Sequence, residues 1–184
     1  VSDNKTPINL TNHAYFNLNG YDGGDILSHT LKLNCSYFTP VDKNSIPTGE
    51  IRNVKGTPFA FATAKKIGSD INANDEQLIF TGGFDHNFCI DGWDNSLREA
   101  GEAYSDESGI CLNVLTTLPG VQFYAGNFLK GDKGKNGVPM NYRSGFCLET
   151  QYYPDSPNHD NFPSTVLTPD KTYDHTTIFK FGLK

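Results

Sequence analysis

Residues 9–18, NLTNHAYFNL, alternate in character. In extended backbone successive side chains point to opposite faces. Ile8, Leu10, Ala14, Phe16 and Leu18 then share one side, interrupted by Asn12, and Asn9, Thr11, His13, Tyr15 and Asn17 share the other. The pattern predicts a strand that packs one face on a core and offers hydrogen-bonding groups, including an imidazole, on the other. Strand-like runs recur over residues 26–33, 77–80, 86–90, 109–115, 121–127, 145–151 and 176–181. Turn chemistry at 19–24, 42–49, 81–83, 91–95 and 131–138 separates many of them. Residues 99–108 are polar and contain Gly101, which predicts an exposed loop, and 62–71 predicts a short helical turn. Short strands punctuated by Gly and Pro turns predict an all-β fold, an antiparallel β-sandwich.

Length and charge narrow this picture. A chain of 184 residues buries one core, so a single domain over 1–184 is expected. A net charge of −6 argues against a nucleic-acid backbone or an anionic membrane as partner. No apolar run approaches the roughly 20 residues of a membrane helix, and VSDNKTP lacks the features of a signal peptide. Cys35, Cys89, Cys111 and Cys147 are widely spaced, without a C-x-x-C pair, so no metal site is expected from these thiols. Three of them lie in apolar segments, as buried free thiols of a reducing, cytoplasmic compartment would.

Four polar residues on separate predicted strands are candidates for chemistry. Glu149, in GFCLETQYYPD, shares a strand face with Cys147 and Gln151, and a carboxylate in an apolar strand needs donors or a cation beside it. An isolated Glu on a solvated sheet face is the competing reading; the neighbouring Gln151, Tyr152 and Tyr153 favour a ligand-lined groove. Asp85 follows a Gly-Gly turn and either caps backbone amides or accepts hydrogen bonds from sugar-type hydroxyls. Gln122 can donate and accept at once, as a vicinal diol requires, but is weak evidence alone. With His13 these residues supply an imidazole, two carboxylates and an amide. The imidazole and a carboxylate, with reference pKa values of roughly 6.5 and 4.3, suit acid–base work near neutral pH.

The blocks TPINLTNHAYFNLNG, GGFDHNFCI, GVQFYAGNFL and GFCLETQYYPDSPNHDNFPSTVL, with ILSHTLKLN, YFTPVDKNSIPTGEI, VKGTPFAF and YDHTTIFKF, resemble those of the aldose 1-epimerase (galactose mutarotase) family, in that family's order. The resemblance covers nearly the whole chain. It implies a β-sandwich of the galactose mutarotase (supersandwich) type that interconverts the α and β anomers of galactose or glucose without a cofactor. His13 would be the general acid, Glu149 the general base, and Asp85 and Gln122 would hold sugar hydroxyls. Gln151, Tyr124 and Asn127 are second-rank candidates, and His29, His86, His159 and His175 read as loop or sheet-surface histidines. Family members are usually nearly twice as long. The portion beyond this chain's N-terminus normally supplies an arginine and a second histidine, so a partial domain partnered by that portion is expected. Ala60 stands where the family often has an acidic residue. A non-catalytic sugar-binding sandwich, a glycoside hydrolase using Asp85 and Glu149, and a relative acting on sugar phosphates are the rival readings.

Overall fold

A computed structural model describes all 184 residues, Val1–Lys184. Its frame is two five-stranded antiparallel sheets. The first runs in the order β12 (Cys147–Gln151), β9 (Gly120–Tyr124), β6 (Asp85–Ile90), β3 (Cys35–Thr39) and β4 (Arg52–Asn53). The second runs β14 (Thr177–Leu183), β8 (Ile110–Thr116), β7 (Arg98–Tyr104), β2 (Thr30–Leu33) and β5 (Lys65–Lys66). Two short ribbons, β1 (Thr6–Pro7) with β13 (Val166–Leu167) and β10 (Asp132–Lys133) with β11 (Pro139–Met140), complete the strands.

The sheets close on one apolar core. Phe88, Val121, Phe123 and Leu148 of the first sheet join Leu31, Ala103, Leu112 and Val114 of the second in a single buried cluster. Phe38 and Phe59 stack within it at 4.3 Å between ring centroids. At one edge the hydroxyls of Thr150 on β12 and Thr177 on β14 meet at 2.6 Å, tying sheet to sheet.

Several expectations change in three dimensions. Residues 9–18 form no strand; their one ladder contact is the bridge from Phe16 to Phe146. Asparagine side chains do the pairing instead. The Asn9 amide donates to Tyr152 O and accepts from Tyr152 N, both at 2.9 Å, Asn12 Nδ2 donates to Leu148 O, and Asn17 Nδ2 donates to Ser144 O. The segment thereby runs antiparallel along the free edge of β12, and Leu10, predicted inward, is 62% exposed.

Residues 77–80 lie in a helix, α1 (Glu76–Thr81), not a strand. A short apolar run fits either form, and the caps decide: Asp75 accepts from Gln77 N, and Gly82 ends the helix at φ 68°. The expected loop at 99–108 is largely β7, an interior strand between β8 and β2. Gly101 serves close packing there, since a Cβ would come within 2.4 Å of Lys32 O. The expected helical turn at 62–71 shrinks to Ile67–Ser69 after β5. His29 and His86 are not surface histidines but fully buried: His29 Nε2 accepts from Leu18 N, and His86 packs against Phe38 and Phe59.

Candidate active site

Register across β12, β9 and β6 builds a polar patch on the sheet face turned away from the core. One row across the strands is Cys147, Tyr124 and Asp85, and the next is Glu149, Gln122 and Asn87. Alternation sends the intervening row, Leu148, Phe123 and His86, into the interior. Three of the four predicted site residues, Glu149, Asp85 and Gln122, therefore share one surface by strand geometry alone. The fourth, His13, reaches it from the asparagine-tethered segment beside β12.

His13 Nε2 lies 3.3 Å from Glu149 Oε1. The imidazole side chain is 56% exposed and the carboxylate only 10%. His13 Nδ1 sits 3.4 Å from Cys147 Sγ. The Tyr15 ring lies 5.1 Å from the imidazole, and Tyr124 meets it edge-on at 6.1 Å. On the neighbouring strands Gln122 Nε2 donates to Asp85 Oδ1 at 2.8 Å, and Gln151 Nε2 donates to Gln122 Oε1 at 3.3 Å. The two amides thus form a directed chain that ends on the Asp85 carboxylate. Beside Glu149 opens a hollow of about 210 Å³, bounded by Thr39, Asn87, Gln122 and Gln151.

Burial sets the electrostatics. It pushes the Glu149 carboxyl up from 4.5 to about 6, with His13 opposing and the Asp85 charge adding to the rise. Burial raises Asp85 as well, against the lowering effect of the Gln122 hydrogen bond. Tyr15 is pushed up to about 12, first by burial and then by the Cys147 thiol, so its phenol stays protonated. Burial, then Glu149 and Asp85, also hold the Cys147 thiol protonated. The arrangement pairs a carboxylate that ionises near neutral pH with an imidazole at contact distance, on a floor of amides suited to hydroxyl groups.

Of the second-rank candidates, Gln151 and Tyr124 belong to this face. Asn127 does not: its amide donates to the carbonyls of Phe84 and Thr81, bracing the end of α1 against β6. Tyr15 and Cys147 join this face as alternation with His13 and Glu149 predicts, although neither was singled out as a site residue; Asn87, two residues from Asp85, was missed and the same alternation could have found it. His13, Cys147 and Glu149 each offer a ligand atom within 4.8 Å of the others. One ion could not take both short contacts as placed, because Nε2 faces the carboxylate and Nδ1 the thiol.

The family model described as Aldose 1-epimerase matches residues 1–180. The chain belongs to the aldose 1-epimerase family. Among curated relatives, the galactose mutarotase of Bos taurus is 46% identical over 179 residues, covering 97% of this chain and 51% of the relative. The aldose 1-epimerase of Escherichia coli K12 is 36% identical over 181 residues, covering 97% of this chain and 52% of the relative. Among solved structures, a GalM/aldose epimerase homologue from C. elegans superposes with TM-score 0.86 at 31% identity, covering 98% of this chain and 53% of that one. The galactose 1-epimerase of Lactobacillus acidophilus superposes with TM-score 0.82, also at 31% identity, covering all of this chain and 51% of that one. The likeness confirms the mutarotase-type β-sandwich. This member of the family spans about half the length of the curated relatives it matches.

Proposed function

We propose that this chain carries the acid–base machinery of an aldose 1-epimerase acting on a hexose such as galactose or glucose. The observation that carries the reading is the 3.3 Å approach of His13 Nε2 to Glu149 Oε1 above a sheet face of carboxylate and amide groups. Ring opening needs an acid and a base on two oxygens of one carbon, the anomeric hydroxyl and the ring oxygen, so the two groups must reach a single anomeric centre, as two groups in mutual contact do. Glu149, ionised, takes the proton of the anomeric hydroxyl while His13 protonates the ring oxygen. The bond between the anomeric carbon and the ring oxygen breaks, and a carbonyl forms. Rotation about the adjoining carbon–carbon bond presents the other carbonyl face to the freed hydroxyl. The ring recloses with the proton transfers reversed. Asp85 and Gln122 hold hydroxyls during the rotation, so the open chain stays in register.

The reading takes the 184 residues as one epimerase domain whose sugar site is shared with groups beyond them. Support comes from the open side of His13 and from the length of the relatives. It places the protein in a reducing compartment, the cytoplasm, on the strength of four buried, unpaired cysteines. No helix is long and apolar enough to cross a membrane.

The test is polarimetry on freshly dissolved α-galactose. The protein accelerates the approach to anomeric equilibrium, and Glu149→Gln and His13→Asn each abolish most of that acceleration. Full activity in either variant overturns the mechanism. Sugar binding by calorimetry without any acceleration would return the non-catalytic reading. A chain extended to the length of its relatives is expected to be faster than these 184 residues; equal rates reject the shared site.

A further inference from the structure

Gln151 lies one row beyond Glu149 on the same face of β12, and the proposed reaction gives it no role. The chain of amides fixes which way its own amide points. An ionised carboxylate only accepts, so Gln122 presents its NH₂ group to Asp85 and leaves its Oε1 to accept. Gln151 Nε2 meets that oxygen at 3.3 Å and gives its other hydrogen to Asn87 Oδ1 at 3.4 Å. Both amide hydrogens are then in use, and a flip would set Gln151 Oε1 against two other carbonyl oxygens. Gln151 Oε1 has no partner in the protein and is left to the hollow beside Glu149. Only 7% of the residue is exposed, so solvent serves this acceptor poorly. The sequence makes room for the arrangement: opposite Gln151 on β9 stands Gly120, where a Cβ would come within 2.4 Å of Asn87 Oδ1.

We propose that Gln151 Oε1 accepts a hydrogen bond from the hydroxyl on carbon 2 of the sugar, and so makes 2-hydroxy hexoses the preferred substrates. The inference rests on the epimerase reading for the orientation of the sugar. Besides hydrogen, the anomeric carbon bears its hydroxyl, the ring oxygen and carbon 2. With Glu149 on the first and His13 on the second, carbon 2 leaves the anomeric centre on the side away from His13. Along β12 that side belongs to Gln151. His13 touches Cys147, one row before Glu149, and Gln151 lies one row after it. The hollow is bounded by Glu149, Gln122 and Gln151 but not by Cys147 or Tyr124. Asn87 Nδ2 and Thr39 Oγ1, buried without partners in residues of its wall, keep it polar. The competing acceptor for the 2-hydroxyl is Glu149 itself.

The experiment is titration calorimetry of the 184-residue chain with galactose, 2-deoxygalactose and 2-deoxy-2-fluorogalactose. Fluorine cannot donate, so the third sugar asks whether the 2-position acts as a donor. The wild type binds both analogues about 3- to 10-fold more weakly than galactose, the range of one neutral hydrogen bond. Gln151→Met keeps the length and removes the acceptor, and it binds all three sugars alike, at the affinity of the analogues. Wild-type affinities that do not differ among the three sugars overturn the proposal, as does a fluoro sugar that binds like galactose. A Gln151→Met protein that weakens all three equally and keeps the preference assigns the 2-hydroxyl to Glu149 and overturns it too. The wild-type arms decide the matter even where the variant does not fold. Polarimetry on the same protein separates the two readings: a preference for galactose without anomer exchange supports the subsite and removes the epimerase reading.

Discussion

On one face of strands β12, β9 and β6 lie Leu148, Phe123 and Phe88; on the other, one position along, lie Cys147 or Glu149, Gln122 and Asn87. Phe88 is fully buried and Asn87 is 2% exposed, so at this position solvent is nearly as scarce on the second face as on the first, while Gln122 and Asp85 stay partly open. The core face has nothing to satisfy. The other face has donors and acceptors in excess of its internal partners: Asn87 Nδ2 and Thr39 Oγ1 are buried without a hydrogen bond. Dehydrated polar groups left short of partners are costly within a stable fold. The burial that gives Phe88 its stabilising contacts raises Glu149 into the range where it can exchange protons at neutral pH. Burial thus serves stability on one side of a sheet and reactivity on the other.

Breaking that contrast is most damaging at Glu149. Glu149→Gln is expected to lower kcat about 10²- to 10⁴-fold, the usual share of a positioned acid–base group, while the fold stays intact. It should also stabilise. The Glu149 value is raised in the native state, from 4.5 to about 6, so the protein binds that proton more tightly folded than unfolded. Stability is then fully present below pH 4.5, declines as pH rises through about 6, and is lower by up to about 2 kcal/mol above it. At pH 8 the neutral amide avoids that cost, and urea unfolding of the two proteins reads the difference.

On the core face the signature inverts. Phe123→Ala is expected to cost about 3–5 kcal/mol in denaturant unfolding, through lost transfer energy and a cavity beneath the patch. Any activity it loses should return under conditions that restore folding.

Smaller effects sharpen the contrast. Gln122→Leu removes the donor to Asp85 and leaves a half-buried carboxylate short of a partner, which should raise KM roughly tenfold in anomer-exchange kinetics. Unchanged KM would detach Gln122 from the sugar. Smallest per unit of pH are the titrations. kcat/KM should rise with pH through about 6 as Glu149 ionises, and a flat profile would reject it as the base. Stability should fall on acidification for a different reason: His86 is pushed down from 6.5 to about 3 by burial. A depressed imidazole stabilises the fold above the unfolded value, and that contribution is lost at roughly 1.4 kcal/mol per pH unit between 6.5 and about 3. A His86 variant that still folds should show a shallower acid slope.

Much of the site was legible because alternation in a regular strand is a local property. Cys147, Glu149 and Gln151 share a face in CLETQ whatever the strand packs against, and β6 and β12 lie within or close to the predicted runs. The failures came where local pattern carries two meanings. The short apolar run near Leu78 is compatible with a strand or a helix, and the Asp75 and Gly82 caps select the helix. Gly101 suggested a loop, whereas contact with the Lys32 backbone requires a residue without a side chain in an interior strand. His86 has the composition of a surface residue, but its place in β6 turns it toward Phe38 and Phe59.

From the amino-acid order alone came the β-rich character, the family likeness and the identity of the acid–base candidates, since these depend on residue type and on spacing along one strand. The meeting of His13 with Glu149 depended on tertiary structure. It requires a segment with a single backbone bridge, Phe16 to Phe146, to be carried past Cys147 by the amides of Asn9, Asn12 and Asn17, on backbone groups more than a hundred residues away. Contacts over that separation follow from how the sheet edge is exposed, and no local periodicity encodes them.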